Sequence, residues 1–278
     1  MPASIPADGG MLMRVALRQT AYLSVSRAWG GAVQIPLGEL ERRTHELPPP
    51  HKELLLVCDS LEAYHALGWL HARGRRARLV PPTTVQVGCD AVAPSRYRLW
   101  EPNEWLVEAL ALPATTIKPE QGGWALDLGC GSGREAVFLA DLGWHVVAVD
   151  RLPEALERGR ELHRRYAPDS PPIEWLCVDL KKSAWQPDRQ FDLIMLFYFY
   201  SRALIPRACA WLKSGGALLV EAFTTQHRAC YGRPASDLRV AHPNELPSLL
   251  PEGVCLVHYS EAWRANKRHT ARLLAVRK

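Results

Sequence analysis

The sequence has no run of about 18 apolar residues, so it offers no membrane-spanning helix. Its start, Met1 to Gly10, lacks the basic residues and apolar core of a secretory signal. No internal repeat with a period of about 20–50 residues is present, which removes solenoids and propellers. The seven cysteines, Cys58, Cys89, Cys130, Cys177, Cys209, Cys230 and Cys255, never stand as CxxC. A zinc site is therefore not expected, and no metal is. An odd count without a secretory signal implies reduced thiols and a cytoplasmic protein. What is present is ordinary globular material: 278 residues, 47% hydrophobic and 23% charged.

The formal charge is +5 and the isoelectric point about 8.9. The first hundred residues hold 12 Lys or Arg against 8 Asp or Glu, so +4 of it lies there. The excess centres on Arg73, Arg75, Arg76 and Arg78, a run that reads as a solvated helix end and loop rather than a phosphate-binding stripe. Residues 79–96, with Pro81, Pro82 and Pro94, have the composition of a linker. Cutting at residue 90 gives two domains, 1–90 and 91–278.

In the first domain, Ala21 to Val25, Ala32 to Leu37, Leu54 to Val57 and Ala77 to Val80 read as short strands. Glu39 to Leu47 is charged, with Leu37, Leu40 and Leu47 at helical spacing, and predicts a helix. Leu61 to His71 predicts a second, with Leu61, Tyr64, Ala66, Leu67 and Leu70 on its apolar face. The stretch from Ala32 to Leu37, the charged segment after it and the Leu54–Cys58 strand ending in cysteine resemble the rhodanese-like domain. The resemblance implies a persulfide-carrying cysteine at Cys58. Asp59 and Glu62, however, place negative charge where a thiolate needs positive charge. A degenerate, non-catalytic domain is the expectation.

The strongest signal begins at Trp124. The apolar stretch Ala125-Leu126-Asp127-Leu128 runs into Gly129-Cys130-Gly131-Ser132-Gly133. A helical period follows from Arg134 to Leu142, and then the strand His145 to Val149 ending in Asp150. This is a βαβ unit. Gly129, Gly131 and Gly133 allow close backbone approach to a ligand, the helix start presents N–H groups, and Asp150 stands where a carboxylate accepts ribose hydroxyls. The glycine spacing is G-x-G-x-G rather than the G-x-G-x-x-G of a pyrophosphate seat. Asp127, two residues before the first glycine, suits a cationic amine.

Leu126 to Gly133 resembles motif I of class I methyltransferases. That resemblance covers about residues 97–278 and implies a Rossmann-like, seven-stranded α/β sheet with S-adenosylmethionine as cofactor. Trp175 to Leu180 would be a third strand, ending at an acid that contacts adenine, and Phe191 to Leu196 a fourth, lying under the cofactor. Ala203 to Leu212 predicts a helix, Ser214 to Gly216 a turn and Ala217 to Ala222 a fifth strand. Val254 to Tyr259 and Ala271 to Val276 would close the sheet as an antiparallel pair. The implied cofactor contacts are Trp100, Asp127, Gly129, Cys130, Gly131, Arg134, Asp150, Arg151, Asp179, Leu180 and Leu196.

Arg134, Leu99 to Pro102, Tyr231-Gly232-Arg233-Pro234 and His242 to Leu246 resemble the tellurite-resistance-like branch, which implies a small soft or anionic acceptor: thiol, sulfide, selenite or tellurite. The Asn/Asp-Pro-Pro-Tyr motif of base-methylating enzymes is absent after the fourth strand, where Phe197 to Tyr200 stand. Tyr198, Tyr231, Arg233 and Arg264 are the candidate catalytic residues, with Arg268, His227 and His269 as further cations near the acceptor. No nucleic-acid or membrane partner is expected, and the oligomeric state is open. Two alternatives remain: an RNA methyltransferase with a basic N-terminal arm, and a cofactor-binding scaffold or sensor without turnover.

Overall fold

A computed structural model describes residues 22–26, 32–85, 98–112 and 122–278. The chain forms two compact units, Met1–Glu101 and Pro102–Lys278. The cut expected at residue 90, Cys89 and most of the expected linker lie outside the described residues. No helix among the described residues is long and apolar enough to cross a membrane.

The first unit is a four-stranded parallel sheet in the order β2-β1-β3-β4, from β1 (Tyr22–Ser24), β2 (Ala32–Gln34), β3 (Leu54–Val57) and β4 (Ala77–Val80). The helix expected over 39–47 is instead two 3-10 turns, Leu37–Glu39 and Thr44–Glu46. Pro48, Pro49 and Pro50 follow directly, and a residue before proline is driven out of the helical region; Leu47 is extended, with ψ 153. The next helix, α1 (Leu61–Ala72), forms as expected but turns a different face inward. Ala63, Ala66 and Leu70 are buried, while Leu61 is 71% and Tyr64 55% exposed. Cys58 follows β3 directly, half-buried and hydrogen-bonded with Tyr64. Both oxygens of Asp59 accept from the Ser26 hydroxyl.

The second unit carries the expected Rossmann-like sheet of seven strands, in the order β10-β11-β9-β8-β5-β6-β7. In chain order they are β5 (Trp124–Leu128), β6 (His145–Asp150), β7 (Ile173–Cys177), β8 (Phe191–Phe197), β9 (Leu212–Phe223), β10 (Val254–Trp263) and β11 (His269–Arg277). The five strands β5 to β9 pair in parallel; β11 is antiparallel to β9, and β10 to β11. β5 and β8 are almost wholly buried, as central parallel strands covered on both faces must be. Their Leu126, Leu128, Ile194 and Leu196 join Leu218 and Val220 of β9 in one apolar core.

The helices of this unit are α2 (Glu104–Leu110), α3 (Arg134–Asp141), α4 (Pro153–Tyr166), α5 (Leu204–Ala210) and α6 (Thr225–Tyr231), with further single turns at Asp237–Arg239 and Glu245–Ser248. Two sequence expectations shift. The third strand starts earlier and stops at Cys177, because Asp179 Oδ1 accepts the Lys181 N–H at 3.1 Å in a local turn. Asp179 and Leu180 therefore stand in a loop. The turn expected at Ser214–Gly216 lies inside β9 as a bulge: Phe191 pairs with Leu212, then Leu193 with Ala217.

Strand order reverses between β5 and β8. In open α/β sheets ligands bind outside the carboxyl ends of strands at such a point. The loops that leave β5, β6, β7 and β8 all open there.

Candidate functional site

The glycine loop is folded back over the end of β6. The Gly129 and Cys130 N–H groups both donate to the Val149 carbonyl, at 2.8 and 3.0 Å. Gly129 has φ +77, and a Cβ there would stand 2.4 Å from Cγ of Phe199. Gly133, with φ +67, caps α3, and a Cβ there would stand 2.4 Å from the Trp175 ring. Both positions need glycine for two reasons, the left-handed backbone and the close approach of an aromatic ring.

Asp150 ties this loop to the next. One carboxylate oxygen accepts the Gly131 N–H at 2.9 Å and the other the Leu152 N–H at 3.0 Å. Each keeps a lone pair for a ligand hydroxyl. The same bond to Leu152 steadies the start of α4, which sequence reading missed. Its signals are local: Pro153 in the first turn, Glu154 beside it, and His163, Arg164 and Arg165 in the last turn, all matched to the helix dipole.

Asp127 is a carboxyl inside the central strand, 2% exposed, between Ala148 of β6 and Met195 of β8. It accepts the Ala136 N–H, while Oδ2 has no partner. Burial, then the nearby Glu135 and Asp150 charges, push it well above the usual carboxylate range. An acid buried with an open oxygen is costly by itself and is stabilised by a cation. Glu135, also pushed up by burial, accepts the Asn103 N–H at 2.9 Å.

A cleft of about 480 Å³ opens in front of these loops. Among the residues selected from sequence, Gly129, Asp150, Arg151, Asp179, Leu180 and Tyr198 line it. Cys130 and Gly131 belong to the loop itself, Cys130 buried, and Arg134 is the first residue of α3. Leu196 is fully buried in the core, and its neighbour Phe197 lines the cleft instead, because alternate strand residues face opposite ways. Trp100 falls in the first unit, buried, with the Arg98 guanidinium 4.8 Å over its ring.

At the β8 end the cleft becomes aromatic. Tyr198 holds φ +57, a strained backbone for a tyrosine, and its N–H donates to the Glu221 carbonyl at 2.7 Å. Its ring lies 5.0 Å from Phe223 and 4.8 Å from the Arg268 guanidinium. Burial, with Glu221 nearby, raises the Tyr198 phenol, so it stays neutral. His227 stacks on Phe223 at 4.5 Å, and the Tyr231 ring packs against His227 at a 44° tilt, 4.8 Å away. Burial, then Arg268 and His269, lower the His227 ring, which is therefore neutral. Its Nδ1 accepts the His269 N–H at 3.3 Å, leaving the proton on Nε2.

The candidate cations separate. Arg268 stands over the cleft aromatics Tyr198 and Phe223. Arg264 does not line the cleft: it lines a different cavity of about 440 Å³ with Trp105 and His258, and donates to Thr270 Oγ1 at 3.0 Å. Arg233 is exposed, and its neighbour Pro234 reaches the cleft. Behind this end, buried Glu221 accepts from Asn103 Nδ2, Thr270 Oγ1 and Arg272 Nε at 2.8, 2.8 and 3.0 Å. Phe199, Lys181 and Arg239 also line the cleft and were not selected from sequence. Nothing local marks them, because they converge only in the fold. Among the described residues no group of three or more His, Cys, Asp or Glu is placed to hold a metal ion.

Residues 125–216 match the family model of a methyltransferase domain. The chain is 33% identical over 141 residues to a ubiquinone biosynthesis O-methyltransferase of Albidiferax ferrireducens, covering 49% of this chain and 52% of that protein. It is 29% identical over 155 residues to a probable thiol methyltransferase 2 of Arabidopsis thaliana, covering 53% and 62%. The crystal structure of TehB from Haemophilus influenzae is 21% identical, with TM-score 0.49, covering 62% of this chain and 61% of that one. The chain spans about half the length of the curated relatives it matches.

Proposed function

We propose, on the premise that residues 125–216 form a methyltransferase domain served by S-adenosylmethionine, that the protein methylates a small soft or anionic acceptor of the thiol, sulfide, selenite or tellurite type. The cofactor half of this reading is carried by Asp127, buried with an open oxygen beside the glycine loop, and Asp150 at the end of β6; the acceptor half is supported by the Arg268 guanidinium over the cleft aromatics Tyr198 and Phe223. The bound cofactor supplies a methyl group already activated on a sulfonium. Asp127 takes its ammonium, the glycine loop receives its amino-acid backbone, Asp150 accepts its ribose hydroxyls, and Asp179 and Leu180 border its adenine. Tyr198 and Tyr231 flank the acceptor.

The remaining work of the chain is alignment and exclusion of water. Holding two reactants in line is worth about 7–11 kcal/mol of barrier. Arg268, over Tyr198 and Phe223, favours the ionised form of a thiol acceptor. His227 offers its Nε2–H to the ionised acceptor before transfer, when its negative charge is greatest. Arg233 belongs to this end only through Pro234, and Arg264 is withdrawn to the other cavity. The test is a kinetic comparison with thiol acceptors: Arg268→Ala should lower turnover more than Arg264→Ala. Equal, wild-type rates in both would sink the assignment.

The RNA reading has less support. Arg73 lies 3.9 Å over Trp69 and pairs with Glu41, Arg75 donates to the Pro48 carbonyl, and Arg78 pairs with Glu53, so much of the basic run is engaged inside the first unit. We take the first unit to be a degenerate, non-catalytic rhodanese-like module used for packing or docking. A cyanide–thiosulfate assay showing activity that disappears in Cys58→Ser would overturn that.

A further inference from the structure

An aromatic row leaves the cleft on the side away from the cofactor. In the proposed function the ribose and adenine occupy the loops after β6 and β7. The row starts after β8 and runs toward β10, across the other half of the sheet order. Tyr198, just past β8, and Phe223, the last residue of β9, both line the cleft, with ring centroids 5.0 Å apart. His227 and Tyr231, one turn apart on α6, continue the row at 4.5 and 4.8 Å. Trp263 ends β10 opposite His269, the first residue of β11, and the next residue, Thr270, pairs with Phe223. The antiparallel pair thereby returns Trp263 to the sheet edge where Phe223 stands. Its ring is at 75° to Tyr231, 6.1 Å away, and at 78° to His269, 5.1 Å away.

The inner rings are packed against one another: Phe223 touches Tyr198 and His227, and His227 touches Phe223 and Tyr231. The open aromatic area is at the far end, where Tyr231 is 52% and Trp263 44% exposed and the two meet edge to face. Single exposed aromatics are ordinary on a protein surface; two that touch each other and continue a ligand cleft are not. Their near-perpendicular rings make a corner that takes a third ring against the face of one and the edge of the other. Burial lowers both His227 and His269, so these rings carry no charge, and Arg268 stands at the Tyr198 end. We propose that the acceptor is a thiol carried on a planar apolar ring system, its sulfur toward Tyr198 and Arg268 and its ring toward the corner of Tyr231 and Trp263. The inference rests on the proposed function and narrows its acceptor. Sulfide, selenite and tellurite would meet the cleft end of the row and leave the corner empty. In the transfer the thiol proton goes first to water. The thiolate sulfur then bonds the methyl carbon while the methyl–sulfonium bond breaks, leaving its electron pair on the departing thioether sulfur.

The test gives the full chain three alkyl thiols of similar nucleophile, 2-mercaptoethanol, phenylmethanethiol and naphthalen-2-ylmethanethiol. Binding is read by calorimetry with and without S-adenosylhomocysteine, and kcat/KM with methyl-labelled S-adenosylmethionine. The naphthyl thiol should lead the phenyl thiol, and should exceed 2-mercaptoethanol by at least about tenfold in both readouts. Trp263→Ala and Tyr231→Ala should each erase most of that preference, and Trp263→Phe, which keeps a ring, should retain most of it. Leu256→Ala, an apolar residue 46% exposed near the other end of β10, should leave it intact. Equal kcat/KM for the three thiols leaves the proposed function standing and overturns this proposal. So does a preference that survives both alanine variants. Dimerisation in sedimentation that disappears in Trp263→Ala also overturns it, because the corner is then an interface between copies of this chain. If S-adenosylhomocysteine fails to bind while the naphthyl thiol binds and is lost in the alanine variants, the cofactor reading falls and the aromatic site stands.

Discussion

Replacing Asp127 with asparagine should make the ligand-free protein more stable and the cofactor weaker, two opposite effects from one atom. Asparagine has the same shape and its amide oxygen can keep the bond from the Ala136 N–H. What it removes is a charge buried at 2% exposure with one oxygen unpartnered. The carboxyl is pushed well above its usual value of 3.8, by burial first and then by Glu135 and Asp150. At neutral pH the unfolded chain holds this acid ionised, while the fold must either protonate it or bury its charge. Both are costs that asparagine escapes. A raised carboxyl binds more protons folded than unfolded, so its penalty grows as pH rises above 3.8 and vanishes below it. The melting temperature of Asp127→Asn should therefore exceed that of the wild type at pH 7 and converge with it as pH falls toward about 4.

Cofactor affinity should move the other way. Hydrogen bonds to a charged partner are worth about 1.5–3 kcal/mol. At about 1.4 kcal/mol per factor of ten, the variant should bind S-adenosylhomocysteine roughly 10- to 150-fold more weakly. Wild-type affinity should climb with pH as Asp127 gives up its proton to meet the ammonium, and the variant should show a flatter profile. Calorimetric titration and thermal unfolding over the same pH range read both effects. A variant that binds within about twofold of the wild type, or whose extra stability persists unchanged at low pH, would refute the reasoning.

Three further outcomes follow from the same structure. Gly129→Ala places a Cβ 2.4 Å from Phe199 Cγ at φ +77, and should cost about 1–3 kcal/mol, a drop of roughly 2–4 °C per kcal/mol in calorimetry. Glu221→Ala removes the acceptor of Asn103, Thr270 and Arg272 together, and should cost roughly 3–5 kcal/mol in denaturant unfolding of the second unit. Burial pushes the Cys209 thiol up to about 11 and raises Cys130 further, so brief alkylation at pH 8 should label exposed Cys177 and Cys230 and spare those two, read by peptide mass spectrometry.

The legible parts of the sequence were those whose signal is local. Trp124 to Asp150 combines a buried apolar strand, a glycine triplet in left-handed backbone and a helical period, and each feature alone would have been weak. The misread parts were decided elsewhere in the chain. The segment 39–47 has helical leucines, but the three prolines after Leu47 and its short length leave only turns. The apolar face of α1 was read on large side chains, while the sheet beneath accepts the small ones, Ala63 and Ala66. Glycines at 215 and 216 looked like a turn because bulges and turns use the same residue; Gly216 is needed where a Cβ would meet the Phe191 carbonyl at 2.8 Å. The charged residues of the site divide in the same way. Asp127 and Asp150 were visible because motif spacing fixes them. Arg268 and Arg264 are four residues apart, and only the fold sends one over Tyr198 and the other to a separate cavity. Lys181 and Arg239 line one cleft from loops with no shared pattern.

The central claim is methyl transfer to a small soft or anionic acceptor, and it is tested most directly with methyl-labelled S-adenosylmethionine. The purified chain is incubated with the labelled cofactor and, separately, with sulfide, selenite, tellurite, 3-mercaptopropionate, 2-mercaptoethanol and total RNA. The account predicts label on members of the first five, none on RNA, and a large loss in Asp127→Asn. Label on RNA alone, or on none of them by a protein that binds S-adenosylhomocysteine, would contradict it.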